Sequence, residues 1–133
     1  MMDSQLETAN IRYMVDDVEA SVAWYTSHLG FTLISTAAPH FADVARGPLR
    51  LLLSGKTSSA GRVMADGRQP RPGGWNRIEL VVKDLRAEIE RLRAAGLRFR
   101  NEMVVGPGGS QILLVDPSGN LIELFQPAGT SHQ

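Results

Sequence analysis

From Asn10 to Val15 the chain alternates, with Ile11, Tyr13 and Val15 on one side and Asn10, Arg12 and Met14 on the other, the pattern of a half-buried strand. The spacing then changes to three and four. Val18, Val22, Tyr25 and Leu29 predict a helix over Val18 to His28, with Asp17 as N-cap and Gly30 closing it in the left-handed conformation. Phe31 to Ser35, Phe41 to Ala45 and Leu49 to Leu53 follow as three short strands, broken by Ala38-Pro39 and Arg46-Gly47-Pro48. The sum is β-α-β-β-β.

Ser54 to Gly74 interrupts this pattern with glycines at 55, 61, 67, 73 and 74, prolines at 70 and 72, and neither apolar period. A stretch of that composition is either a linker arm or a lid over a site. Beyond it the first pattern returns. Arg77 to Val82 alternates, with Ile78, Leu80 and Val82 on one face and Arg77, Glu79 and Val81 on the other, and Asp84 repeats Asp17 as a cap. A helix from Leu85 to Ala95 carries Leu85, Ile89 and Leu92 on one stripe and stops at Gly96. Leu97 to Arg100, Gln111 to Val115 and Leu121 to Phe125 are three further strands, with Gly106 to Gly109 as a turn.

Asp17 and Asp84 lie 67 residues apart, and the glycines of the last turn in each half, Gly47 and Gly119, lie 72 apart. The chain therefore reads as two β-α-β-β-β modules in tandem, an α+β fold within a single domain. Module one covers about 8–54, the arm 55–74, module two about 75–127, and a flexible tail 128–133.

The closing run Gln111 to Pro127 frames one chemical question. Asp116-Pro117-Ser118-Gly119-Asn120 folds the chain back, and in the strand that follows Leu121, Glu123 and Phe125 share a face. A carboxylate among apolar residues on an inward face is costly unless a partner satisfies it. Arg77 is such a partner, through a charge-assisted guanidinium pair.

Composition narrows the rest. Lys plus Arg and Asp plus Glu both number 14, so there is no basic excess to draw nucleic acid or an anionic membrane. With no cysteine there is no disulfide, thiolate nucleophile or cysteine zinc site. No run reaches membrane-span length and Met1 to Thr8 has no signal-peptide core, so a cytoplasmic protein is expected.

The strand-Asp-helix opening in Ile11 to Tyr25, the H-L-G-F of His28 to Phe31, and the D-P-S-G-N-L-I-E-L of Asp116 to Leu124 together resemble the vicinal oxygen chelate superfamily. That superfamily includes glyoxalase I, bleomycin-resistance and fosfomycin-resistance proteins and extradiol dioxygenases. The resemblance runs from about Asn10 to Pro127. It implies paired βαβββ modules curled into an open, cup-like mixed sheet with helices outside, a ligand cavity within, and commonly a homodimer.

Metal-using relatives take ligands from the first strand of each module and a carboxylate from the last. The resemblance puts those places on Asn10, Arg77, Leu51 and Glu123, of which only Glu123 matches. Arginine and leucine offer no lone pair, so no metal cofactor is expected. What remains is a glyoxalase- or bleomycin-resistance-like protein binding a small organic molecule. The alternative is a metal-dependent lyase, isomerase or dioxygenase of the glyoxalase I or extradiol type, holding a divalent ion through Glu123 and Glu79. The expected ligand-binding residues are polar Arg12, Arg77, Glu79 and Glu123. Met14, Leu51, Leu53 and Phe125 form the walls, and Trp75 is a stacking surface for ligand or subunit.

Overall fold

Each half of the chain folds as a mixed sheet with one helix, in the order the alternation predicts. The computed structural model describes residues 6–129, so most of the tail expected over 128–133 lies outside the described residues. The chain divides into two compact units between Pro72 and Gly73.

In the first unit, β1 (Ile11–Met14), α1 (Val18–His28), β2 (Thr32–Ala37), β3 (Phe41–Arg46) and β4 (Leu49–Ser54) build a sheet of order β1-β4-β3-β2. β1 runs parallel to β4 and the other pairs are antiparallel. In the second, β5 (Ile78–Val81), α2 (Leu85–Ala94), β6 (Arg98–Phe99), β7 (Val104–Gly106), β8 (Gly109–Val115) and β9 (Leu121–Pro127) give the order β5-β9-β8-β6, with β7 also on β8. The fold is α+β. β7 is the one strand the sequence pattern does not predict: three residues are too few for alternation to register, and β6 and β7 share the partner that a single strand would have had.

Both helices start on their predicted caps. Asp17 accepts a hydrogen bond from Ala20 N at 3.0 Å, and Asp84 from Ala87 N at 3.1 Å. Gly30 and Gly96 leave the helices at φ 73° and 86°. Leu85, Ile89 and Leu92 are buried along α2, and Tyr25 of α1 is fully buried, edge-on to Phe31.

Strand register corrects one expectation. In the first unit Ile11 lies opposite Leu51 and Tyr13 opposite Leu53, while Leu51 and Leu53 also face Val44 and Ala42. All four of these β3 and β4 residues are fully buried. Leu51 and Leu53 therefore belong to the apolar core of the first unit and do not wall a ligand site. The physical reason is turn length. Only Gly47-Pro48 separates β3 from β4, whereas Asp116 to Asn120 separates β8 from β9. Matching the two turn glycines slips the last strand by one residue, and a slip of one turns every side chain to the other face. By pairing register the counterpart of Glu123 is Leu52, since Leu52 lies opposite Arg12 as Glu123 lies opposite Glu79.

The arm after β4 is ordered and fastened to the first unit as far as Pro72. Gly55 N donates to His40 O at 2.9 Å, a 3₁₀ turn covers Ser59–Gly61, and Gln69 Nε2 donates to Gly61 O at 2.8 Å. A Cβ on Gly61 would lie 2.5 Å from Gly55 O, so only glycine lets these segments approach.

Candidate functional site

The parallel pair β5 and β9 sorts its side chains by alternation. Ile78, Leu80, Ile122 and Leu124 are buried on one face, and Glu79, Val81, Glu123 and Phe125 share the other. Glu123 is only 8% exposed, and its carboxylate is satisfied from two sides. Arg77 places Nε and Nη2 each 3.0 Å from Oε1. Gln111, on β8 opposite Phe125, has its amide nitrogen 2.9 Å from Oε2 and 3.2 Å from Oε1 when the amide is turned to donate. The Arg77 pairing predicted from sequence is present, and it meets the cost of burying the charge.

Glu79 lies directly opposite Glu123 on the same face. Its carboxyl is raised above the ordinary glutamate value. The leading cause is a hydrogen bond to Glu123, followed by burial and the negative charge of Glu123, with Arg77 pulling the other way. Glu79 is therefore more readily protonated than an isolated glutamate, and in that form it donates to Glu123.

Around this cluster the surface is apolar and open. Val81 is 56% exposed, Trp75 is 64% exposed, and Phe125 is half-buried. The Arg100 guanidinium lies 5.3 Å from the Trp75 ring centroid, and Arg77 Nη1 donates to the Trp75 carbonyl at 3.4 Å. The remaining predicted residues lie in the first unit. Arg12 Nη1 donates to Ser54 Oγ at 2.8 Å. Met14 lines a cleft of about 370 Å³ with Asp16, Lys56 and Arg71 among others. Gln111 and Ser54 escaped sequence reasoning. Gln111 opens a run otherwise apolar as far as Val115, and that isolated amide is the one signal of it in the sequence.

A family model, the Glyoxalase/Bleomycin resistance protein/Dioxygenase superfamily, matches residues 8–124. The chain belongs to this superfamily. No curated protein sequence matches it. Solved structures with the same fold include a lactoylglutathione lyase from Agrobacterium tumefaciens, with 20% identity over 90% of this chain and 92% of that one and a TM-score of 0.71. A glyoxalase/bleomycin resistance protein/dioxygenase from Nocardioides shares 24% identity over 97% and 91%, with a TM-score of 0.70. A genomically encoded fosfomycin resistance protein from Listeria monocytogenes shares 19% over 92% of each chain, with a TM-score of 0.66.

Membership in the glyoxalase superfamily raises the question of a divalent metal, and the side chains of the second unit do not fit one. Among the described residues no three His, Cys, Asp or Glu come together as a metal site. Arg77, at the head of the strand beside Glu123, has no lone pair to give a cation. Both oxygens of Glu123 already accept from Arg77 and Gln111, and Glu79 is the one further carboxylate beside it on this face. A cation there would have to displace both a guanidinium and an amide from Glu123.

Among the described residues no helix is long and apolar enough to cross a membrane.

Proposed function

We infer that this glyoxalase-superfamily protein binds a small organic molecule on the polar sheet face of its second unit, without a resident metal. The observation behind this reading is the saturated carboxylate of Glu123, held by Arg77 and Gln111 beside Glu79. Such a cluster offers a ligand the donors of Arg77 and Gln111, while the lone pairs of Glu123 are already engaged. Val81, Phe125 and Trp75 supply the apolar contact that a partly aromatic ligand would take. The reading includes a cytoplasmic homodimer, which the sedimentation mass of the intact chain would test.

The experiment is a thermal-shift panel of aromatic metabolites and antibiotics, repeated on Phe125→Ala, together with elemental analysis of the purified protein. Ligands should raise Tm in the wild type and not in the variant, with no stoichiometric metal. Tight binding of one Mn, Fe, Zn or Ni ion per chain would instead favour the lyase, isomerase or dioxygenase reading, in which Glu123 and Glu79 hold a cation.

A further inference from the structure

We propose that the first unit carries a separate binding site for a small oxyanion, a carboxylate or phosphate group borne on an apolar or aromatic body. A concavity of about 470 Å³ there is lined by Arg12, His40, Phe41, Thr57, Ser58 and Ser59. Arg12 projects from β1 on the face it shares with Leu52, and fully buried Ser54 holds its Nη1 at 2.8 Å. Among the described residues no carboxylate pairs with this guanidinium. Asp43, on the same face across Leu52, is already engaged by Arg50, whose Nε lies 2.9 Å away. Asp43 therefore neutralises Arg50 and leaves Arg12 positive.

The loops on either side complete a set of donors. His40 Nδ1 lies 2.7 Å from Thr57 Oγ1, which fixes the ring and leaves Nε2 without a partner among the described residues. The Ser58 hydroxyl donates to Gly55 O at 2.6 Å, which leaves Ser59 and the paired Thr57 and His40 on the lining, and that pair offers one outward proton, from Thr57 Oγ1 or from His40 Nε2 according to the tautomer. The Gly55 to His40 backbone bond ties the two loops together, so these groups are held in place before anything binds. A guanidinium fork beside hydroxyls and an imidazole matches the planar or tetrahedral oxygens of an oxyanion, and half-buried Phe41 forms an apolar wall for what the anion is attached to. None of these groups belongs to the carboxyl cluster of the second unit, so either reading stands or falls without the other.

The test titrates the intact protein with inorganic phosphate, phenyl phosphate and benzoate, following backbone and arginine side-chain NMR signals and binding heat. Wild-type signals of Arg12, His40, Thr57 and Ser59 should shift, and phenyl phosphate should bind about tenfold tighter than inorganic phosphate through Phe41. The ratio of benzoate to phenyl phosphate affinity tells a carboxylate site from a phosphate site. Arg12→Gln should weaken binding about tenfold or more, and Thr57→Val should weaken it while preserving the fold. Lys83→Gln, which removes one positive charge outside the site, should leave it unchanged. Shifts confined to other residues, no binding into tens of millimolar, or equal loss in Lys83→Gln and Arg12→Gln would overturn the proposal. If Arg12→Gln does not fold, the wild-type shift map and Thr57→Val decide.

Discussion

Glu79 and Glu123 face each other across adjacent parallel strands, and the hydrogen bond and negative charge of Glu123, with burial, raise the Glu79 carboxyl above its ordinary value. This arrangement has a defined pH signature. Glu79 is raised above its ordinary value of 4.5, so the folded state binds more protons than the unfolded state above that pH. Its contribution to stability is full below about pH 4.5 and is lost as pH rises through the higher folded value. Urea midpoints across this range should fall more steeply with pH in the wild type than in Glu79→Gln, whose amide donates to Glu123 without titrating. Parallel curves for the two proteins would show that Glu79 is not raised in the folded state.

Arg77→Ala should destabilise the second unit by about 1–3 kcal/mol, because it leaves a buried carboxylate with Gln111 as its remaining fixed donor. Arg77 is about one-third exposed, which places the cost below that of breaking a fully buried pair. The double variant Arg77→Ala/Glu123→Gln should recover part of the loss, since no charge is then stranded. A denaturant double-mutant cycle measures the coupling, and additive single effects would mean that the pair does not act as a unit.

The register difference between the two units gives a test in adjacent residues. Leu51 is fully buried against Ile11 and Val44, so Leu51→Glu should prevent folding of the first unit and Leu51→Ala should cost about 2–5 kcal/mol. Leu52, half-buried on the face of Arg12, should accept glutamate with less than about 1 kcal/mol of loss. Circular dichroism and urea melts of the two glutamate variants separate these outcomes, and a folded Leu51→Glu would refute the register.

This pair also shows what the sequence could and could not disclose. Alternation and caps made the elements legible, because each period and each Asp cap is a local property of the chain. Glu123 and its Arg77 partner were legible for a related reason: a lone carboxylate in an apolar strand demands a cation, and Arg77 opens the strand that runs beside it. Leu51 and Leu53 were misplaced because β4 is leucine at four of its six positions, so its composition carries no face. Only the length of the preceding turn fixes which leucines point inward. Gln111 is missing from the sequence reading because a polar residue at the head of a strand has no periodic signature. Its role depends on pairing between β8 and β9.

The turn that launches β9 supplies the last prediction. Asp116 is fully buried, and its Oδ1 accepts from Ser118 N and Asn120 N, each at 2.8 Å, while Oδ2 accepts from Asn120 Nδ2 at 3.1 Å. Asn120 in turn accepts from Gly73 N at 2.8 Å through its side-chain oxygen. The carboxylate therefore organises both the reversal into β9 and the segment leading to Arg77. Asp116→Ala strands several donors at once and should cost about 2–4 kcal/mol. The loss should be local before it is global: amide exchange at Leu121 to Glu123 should accelerate more than exchange along β3 and β4. Uniform acceleration over both units would mean that Asp116 supports the whole chain rather than the strand carrying Glu123.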